Sequence, residues 1–267
     1  MSRTVPVLLY HSVCTDPAPL MREWAITPEV FREHLEFLAA EGYESLTVTD
    51  YVRRLLAPKP SLPERLVVIT FDDGFADFTT GAAPALADTA MAATLYVSTA
   101  YVGEISTWLG PDGEQPMLSW EAIADLAAQG IEIGAHSHQH RALDELDRAT
   151  AQIEIVQSKQ LLEEQLGALI ESFAYPHGYH TRAIKDMVRF AGFSSACGVK
   201  HALSGPGDDP YGIARIMVPG DATVEELDRL MRGLSRAPRR ERLQTKAWRA
   251  VRRARARRNV HEPARAV

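Results

Sequence analysis

Apolar residues along this chain fall into two alternating patterns. Short, nearly unbroken runs at Val5–Tyr10, Ser45–Val48, Leu66–Phe71, Ala92–Val97, Ile131–Ala135, Ser172–Tyr175, Phe193–Val199 and Ile213–Val218 have the length of buried strands. Between them apolar side chains recur at three- and four-residue spacing, which predicts helices. Thr27 and Pro28 open a helix that carries Phe31, Leu35 and Leu38, with Gly42 as its stop, and Thr49 or Asp50 caps another that runs through Leu56. Further helices are expected over 82–90, from Ser119 to Gly130 with Ile123 and Leu126 inward, over 144–167 with Leu146, Ile153, Val156, Leu161 and Leu162, and over 181–191. Alternating strands and helices give a parallel sheet with right-handed crossovers. Seven or eight such units close into a barrel, so the predicted class is α/β.

Several of the runs end in side chains capable of chemistry. Leu66–Phe71 leads into Asp72, Asp73 and Gly74, and in α/β folds the carboxyl ends of parallel strands are where ligands bind. Two adjacent carboxylates there can divide the work, one holding a metal while the other faces a reacting water, although Asp-Gly is also an ordinary turn pair. The run at 131–135 ends in His136, His138 and His140. A helical turn after that strand would put His136 and His140 on one side and His138 elsewhere. Two neutral imidazoles and one carboxylate leave open positions on a divalent ion, the ligand count of a catalytic zinc site. The first run ends at His11, at the same predicted mouth. Residues 99–117 have little periodicity but contain Tyr101 and Trp108, and form either a wall of the site or ordinary surface.

Composition adds limits. The 267 residues, 46% of them hydrophobic, suffice for one sizeable core, and nothing suggests a second globular unit. The expected organisation is a catalytic barrel over 1–235 and a basic tail over 236–267. The tail holds twelve Lys and Arg against Glu241 and Glu262, hence +10, while the rest holds 17 basic and 33 acidic residues, hence −16. Such a tail suits peripheral contact with an anionic membrane or a polyanion, a solvated helix on the acidic body, or disorder. No specific nucleic-acid recognition is expected. Only Cys14 and Cys197 are present, which argues against a disulfide scaffold. With no basic-then-apolar leader and no apolar run approaching about 18 residues, the expected location is cytoplasmic, membrane-peripheral if the tail lies on lipid.

Thr70-Phe-Asp-Asp-Gly74 and His136-Ser-His-Gln-His140 resemble the first two motifs of the polysaccharide deacetylases, carbohydrate esterase family four, and Phe173-Ala-Tyr-Pro-His-Gly178 is similar to the third. The resemblance spans most of residues 5–220 and implies a distorted, NodB-like (β/α) barrel. It implies hydrolysis of a non-peptide carbon–nitrogen bond, the acetamide of an N-acetylated amino sugar in a glycan, glycolipid or small intermediate. Asp73, His136 and His140 would then hold one divalent ion, with zinc favoured by the nitrogen-rich set and cobalt or nickel able to fill it. Asp72 would be the general base, and the backbone N–H of His177 would stabilise the oxyanion as the matching tyrosine does in relatives. Tyr175, Pro176 and Trp108 are the candidate substrate contacts.

Two departures from the family pattern shape the rest. Ala174 stands where many members have an arginine, so Asp72 must be oriented from elsewhere, with Arg215 and Arg141 as candidates. No later segment matches the motif that supplies the acid in many members, and His201 lies in a different context. In the biofilm poly-N-acetylglucosamine deacetylases the acid comes from an early Tyr-His strand end, which Tyr10-His11 resembles. His11 is therefore the expected general acid, kept protonated by a nearby carboxylate. The alternatives are a same-fold amidase acting on a non-sugar amide or cyclic imide, and a non-catalytic barrel that binds a polyanion or envelope component.

Overall fold

The strands, in chain order, are β1 (Val7–Tyr10), β2 (Ser12–Val13), β3 (Ala25–Ile26), β4 (Glu44–Leu46), β5 (Leu66–Phe71), β6 (Thr94–Val97), β7 (Glu132–Ala135), β8 (Ser172–Ala174), β9 (Ser195–Cys197) and β10 (Ile216–Met217). Interleaved with them are α1 (Pro28–Ala40), α2 (Val48–Leu55), α3 (Ala83–Thr89), α4 (Trp120–Ala128), α5 (Arg148–Leu166), α6 (Arg182–Phe190) and α7 (Val224–Met231). This is a computed structural model, and it describes residues 4–59, 61–205 and 207–234. The basic tail expected from Arg236 onward lies outside the described residues. Among those described, no helix is long and apolar enough to cross a membrane.

One parallel sheet runs β10-β1-β5-β6-β7-β8-β9, with β4 beside the first half of β5. The segment from Ile213 to Met217 links its two edges, because Ile213 bridges Cys197 of β9 while Ile216 and Met217 pair with Leu8 and Leu9 of β1. The result is the distorted (β/α) barrel that the alternation predicts.

Period-two alternation sorts each strand into an inner and an outer face. Val67, Ile69 and Phe71 of β5 pack outward with Leu8, Leu35 and Leu38 in the layer between sheet and helices. Val68 joins Val7, Tyr96, Ala174 and Cys197 in a second, interior cluster. Thr70 shares the inner face with Val68, and its hydroxyl donates to the Leu8 carbonyl at 2.7 Å. Low in the interior lies a polar layer, where Ser172 links Ser195 and the buried Tyr96 hydroxyl, at 3.2 and 2.6 Å. Inward positions continue upward to the strand ends, where the site lies.

Several element boundaries differ from the sequence reading, two of them for a reason that the caps make plain. Thr47, not Thr49 or Asp50, caps α2, since its hydroxyl accepts from the Asp50 N–H and draws Val48 into the helix, ending β4 at Leu46. Asp147 caps α5 by accepting from Ala149 and Thr150, so this helix begins at 148 and not 144. Its buried face is Ala151, Glu154, Ile155, Ser158 and Leu162, while Ile153 is 59% exposed.

Gly134 in β7 stands where the barrel interior has no room for a side chain, because a Cβ there would lie 2.5 Å from the Tyr96 ring and 3.0 Å from the Ser172 carbonyl. Overpacking of this kind costs about 1–3 kcal/mol. Gly134→Ala is therefore expected to lower the unfolding free energy by that amount, seen in urea unfolding as a lower midpoint with an unchanged m-value. A midpoint equal to wild type would mean the interior can yield there.

Candidate active site

Strand parity decides which strand-end groups meet. Leu9 faces inward, so His11 does too, and both line a cavity of about 550 Å³ at the carboxyl ends of the strands. Asp72 continues the inner face of β5 after Val68 and Thr70. Asp73 would point away if the strand continued, but its φ of 75° turns the chain left-handed, and both carboxylates line the same cavity. His136, following Ala135 of β7, also faces in.

His140 reaches this cavity by a route other than the helical turn expected from its spacing. Residues 137–140 form an irregular turn with left-handed backbone at Ser137 (φ 61°) and His140 (φ 54°). The turn is held from one side by the Thr99 and Ala100 N–H groups, which donate to the Ser137 and His138 carbonyls at 3.3 and 2.8 Å. His138 points elsewhere, as expected, with its Nδ1 2.9 Å from the Thr99 hydroxyl.

The converging groups suit a metal ion. Asp73 Oδ1 lies 3.4 Å from His136 Nε2 and 3.1 Å from His140 Nε2, and one ligand atom from each of the three residues lies within 4.8 Å of the others. Neither approach has hydrogen-bond alignment, and Asp73 Oδ1 is buried without a hydrogen-bond partner. His136 Nδ1 lies 2.8 Å from the Ala174 carbonyl, which can only accept, so Nδ1 carries the proton and Nε2 presents a lone pair to Asp73. A buried oxygen without a donor, facing an imidazole lone pair, is an arrangement that a cation would satisfy.

Asp72 is held differently. Arg215, fully buried, grips it with two parallel bonds of 2.6 and 2.7 Å, and donates besides to the Gly198 carbonyl and to Thr70 Oγ1. Burial alone would raise the Asp72 carboxyl, but Arg215 and then His136 outweigh it, and its pKa falls below the ordinary value. Burial likewise opposes ionisation of Asp73, yet His140 and His136 hold it well below the usual carboxylate range. For His136 burial opposes the proton, and Asp72 and Asp73 bring its pKa net above 6.5, so in the metal-free site a proton competes with a cation for this ring.

The other expected residues divide. Trp108 stacks on His140 at 4.5 Å and on Phe75 at 6.1 Å, so the aromatic loop is a wall of the site. His177, left-handed at φ 60°, is exposed at the rim with its ring edge-on to His140 at 4.8 Å. Tyr175 and Pro176 do not line the cavity, which corrects their assignment as substrate contacts. Tyr175 follows Ala174, an inward residue, so parity turns it outward into the core, where its hydroxyl donates to the Tyr211 carbonyl. Pro176 is buried in the turn that follows. The expected raised pKa of His11 is also corrected, since burial outweighs Asp73 and Asp72 and lowers it below 6.5. Arg141 is exposed, which leaves the orienting role to Arg215.

Met21, Trp24 and Leu109 belong to the same wall, and the sequence reading missed them. They come from segments with no periodic signal, and pack beside Trp108 over Phe75 and Met117.

Removing one member of a buried ion pair leaves the other charge uncompensated, at a cost of about 3–5 kcal/mol. Arg215→Met should lose stability on that scale at neutral pH. In the wild type the depressed Asp72 pKa gives stability that is present above pH 3.8 and lost as pH falls through the depressed value. In the variant burial dominates, Asp72 titrates above 3.8, and the stability deficit shrinks as the pH is lowered. Urea unfolding of both proteins from pH 7 to pH 3 measures this, and a deficit that does not change with pH would contradict it.

Likenesses to known proteins bear on the family and the fold. The model of the family described as polysaccharide deacetylase matches residues 59–196, just over half of the chain. YxkH of Bacillus subtilis (strain 168), named as a candidate polysaccharide deacetylase, is 26% identical over 218 residues, which is 81% of this chain and 72% of that protein. Among solved structures, the Streptococcus pyogenes deacetylase PplD in complex with acetate has a TM-score of 0.75 at 21% identity, covering 86% of this chain and 99% of that one. IcaB from Ammonifex degensii has a TM-score of 0.69 at 25% identity, covering 87% and 97%. The matched family segment contains Asp72, Asp73, His136 and His140, and with barrel and site agreeing, this chain belongs to the polysaccharide deacetylase family.

Proposed function

We propose that this protein is a metal-dependent N-deacetylase that hydrolyses the acetamide of an N-acetylated amino sugar and releases acetate. The observation that carries the reading is the split between the two adjacent carboxylates. Asp73 faces His136 and His140 with a buried, donor-free oxygen, while Asp72 is bound on both oxygens by Arg215. A non-catalytic barrel has no need of such a division, and an amidase for non-sugar amides would use the same groups.

Asp73, His136 and His140 would hold the divalent ion, and Ala174 fixes the His136 tautomer for that purpose. When bound, such an ion polarises the amide oxygen and acidifies the attacking water. Asp72 takes the water proton, and Arg215 keeps its carboxylate ionised and aimed. The departing nitrogen must be protonated, since an amide anion is a very poor leaving group. We assign this to His11, at the end of β1 beside β5, and because burial lowers its pKa the proton it delivers is the one Asp72 takes from the water, passed on within the site. The His177 backbone N–H is the proposed oxyanion donor. Trp108 and Trp24 supply apolar wall against which one face of a sugar can lie.

Two outcomes are expected. Chelation should abolish acetate release from N-acetylglucosamine oligomers, measured by coupled acetate assay, and zinc or cobalt should restore it; full activity in metal-free protein would overturn the reading. His11→Asn should cut kcat by about 100-fold or more while metal content and thermal midpoint stay near wild type. If stability falls first and the folded fraction stays active, His11 is structural and the acid lies elsewhere.

A further inference from the structure

The turn that delivers His140 is not a conformation its sequence would adopt unaided. Ser137 and His140 are both left-handed without being glycine, each at a cost of about 1–2 kcal/mol, and two peptide N–H groups between them, those of His138 and Gln139, point away from the cavity. Both donate to a single oxygen. Glu154 Oε2 accepts from the His138 N–H at 3.0 Å and from the Gln139 N–H at 2.7 Å.

Glu154 sits one and a half turns into α5, only 3% exposed, on the buried face beside Ala151 and Ile155. A carboxylate is an expensive side chain to bury, and the two amides of this turn compensate it. Consecutive N–H groups converging on one anionic oxygen form a small nest, with Glu154 as its resident anion. On the opposite side the Thr99 and Ala100 N–H groups hold the Ser137 and His138 carbonyls. The turn is therefore clamped through donors and acceptors at once, and the residue it ends on is His140, whose Nε2 lies 3.1 Å from Asp73 Oδ1.

We propose that Glu154 is a positioning residue for the metal site, acting through the 137–140 turn to set His140 against Asp73 and His136. The inference rests on the metal-site reading above. It assigns the carboxylate no contact with substrate or ion. Partners of this kind, one step removed from the ligands, typically govern 10–100-fold in metal affinity or activity.

The test uses the full-length protein with Glu154→Ala, Glu154→Gln and, as a control on the same helix, Glu163→Gln, which removes a carboxylate paired with Lys159 and the Ile170 N–H. Zinc affinity is read by chelator competition, and the Co(II) visible spectrum reports ligand geometry. Amide hydrogen exchange at 138–140 is read in the metal-free proteins. Expected for Glu154→Ala are a 10–100-fold weaker zinc affinity, an altered Co(II) spectrum and faster exchange at His138 and Gln139. Glu154→Gln keeps one acceptor oxygen and should recover most of the affinity, and Glu163→Gln should match wild type. Wild-type zinc affinity and an unchanged Co(II) spectrum in Glu154→Ala, whatever its thermal midpoint, would overturn the proposal. So would unchanged exchange at 138–140, which stands even if the wild type takes up no zinc, the outcome that would instead defeat the metal-site reading.

Discussion

The bidentate pairing of Arg215 with Asp72 inside the barrel is the interaction on which the rest of the site depends. Two adjacent carboxylates in one buried cavity repel each other and are each penalised by burial, so without compensation one would take up a proton. Arg215 removes that difficulty for Asp72 by supplying a fixed, fully buried positive charge with matched fork geometry. It thereby leaves Asp73 as the carboxylate whose charge is answered only by imidazoles, and that difference separates the two roles. The guanidinium is itself supported, lying over the Tyr96 ring at 5.5 Å with its Nε donating to Gly198. Tyr96 in turn rests on the serine layer below.

Strand parity then explains which side chains face inward. His11, Asp72, His136, Arg215 and Met217 all continue the inner faces of their strands. Asp73 and His140 enter by breaking the rule with left-handed backbone, as does His177 at the rim. Such strain persists where surrounding structure over-determines it. Here the candidate ligand set combines one regular position, His136, with two irregular ones, Asp73 and His140, which are held by hydrogen bonds from neighbouring loops.

Much of this was legible in the sequence. The barrel followed from the strand–helix alternation, and Asp72, Asp73, His136 and His140 were marked by strand-end position and spacing. What spacing could not show was the conformation between His136 and His140, because an i, i+4 pair fits a helical turn and a pinned loop equally well. Parity, applied strictly from Ala174, would have turned Tyr175 outward, but motif position suggested otherwise. Arg215 lies 143 residues from Asp72, and the sequence offered it only as one of two candidates, with Arg141, for the gap that Ala174 leaves. His11 was placed correctly at the mouth, yet its protonation was misjudged, since the depth of burial that outweighs the two carboxylates is a property of the packed barrel. Met21, Trp24 and Leu109 came from aperiodic segments, for which the sequence carries no positional rule.

The central claim is that Asp73 and Asp72 are chemically distinct, one a metal ligand and the other a base held off the metal by Arg215. Crystals soaked in zinc and measured at the zinc absorption edge test it directly. The account predicts one anomalous peak at about 2.0–2.2 Å from Asp73 Oδ1 and from Nε2 of His136 and His140, with Asp72 still bound on both oxygens by Arg215. A peak that draws Asp72 off Arg215 into the coordination sphere, or that lies away from Asp73, would contradict it.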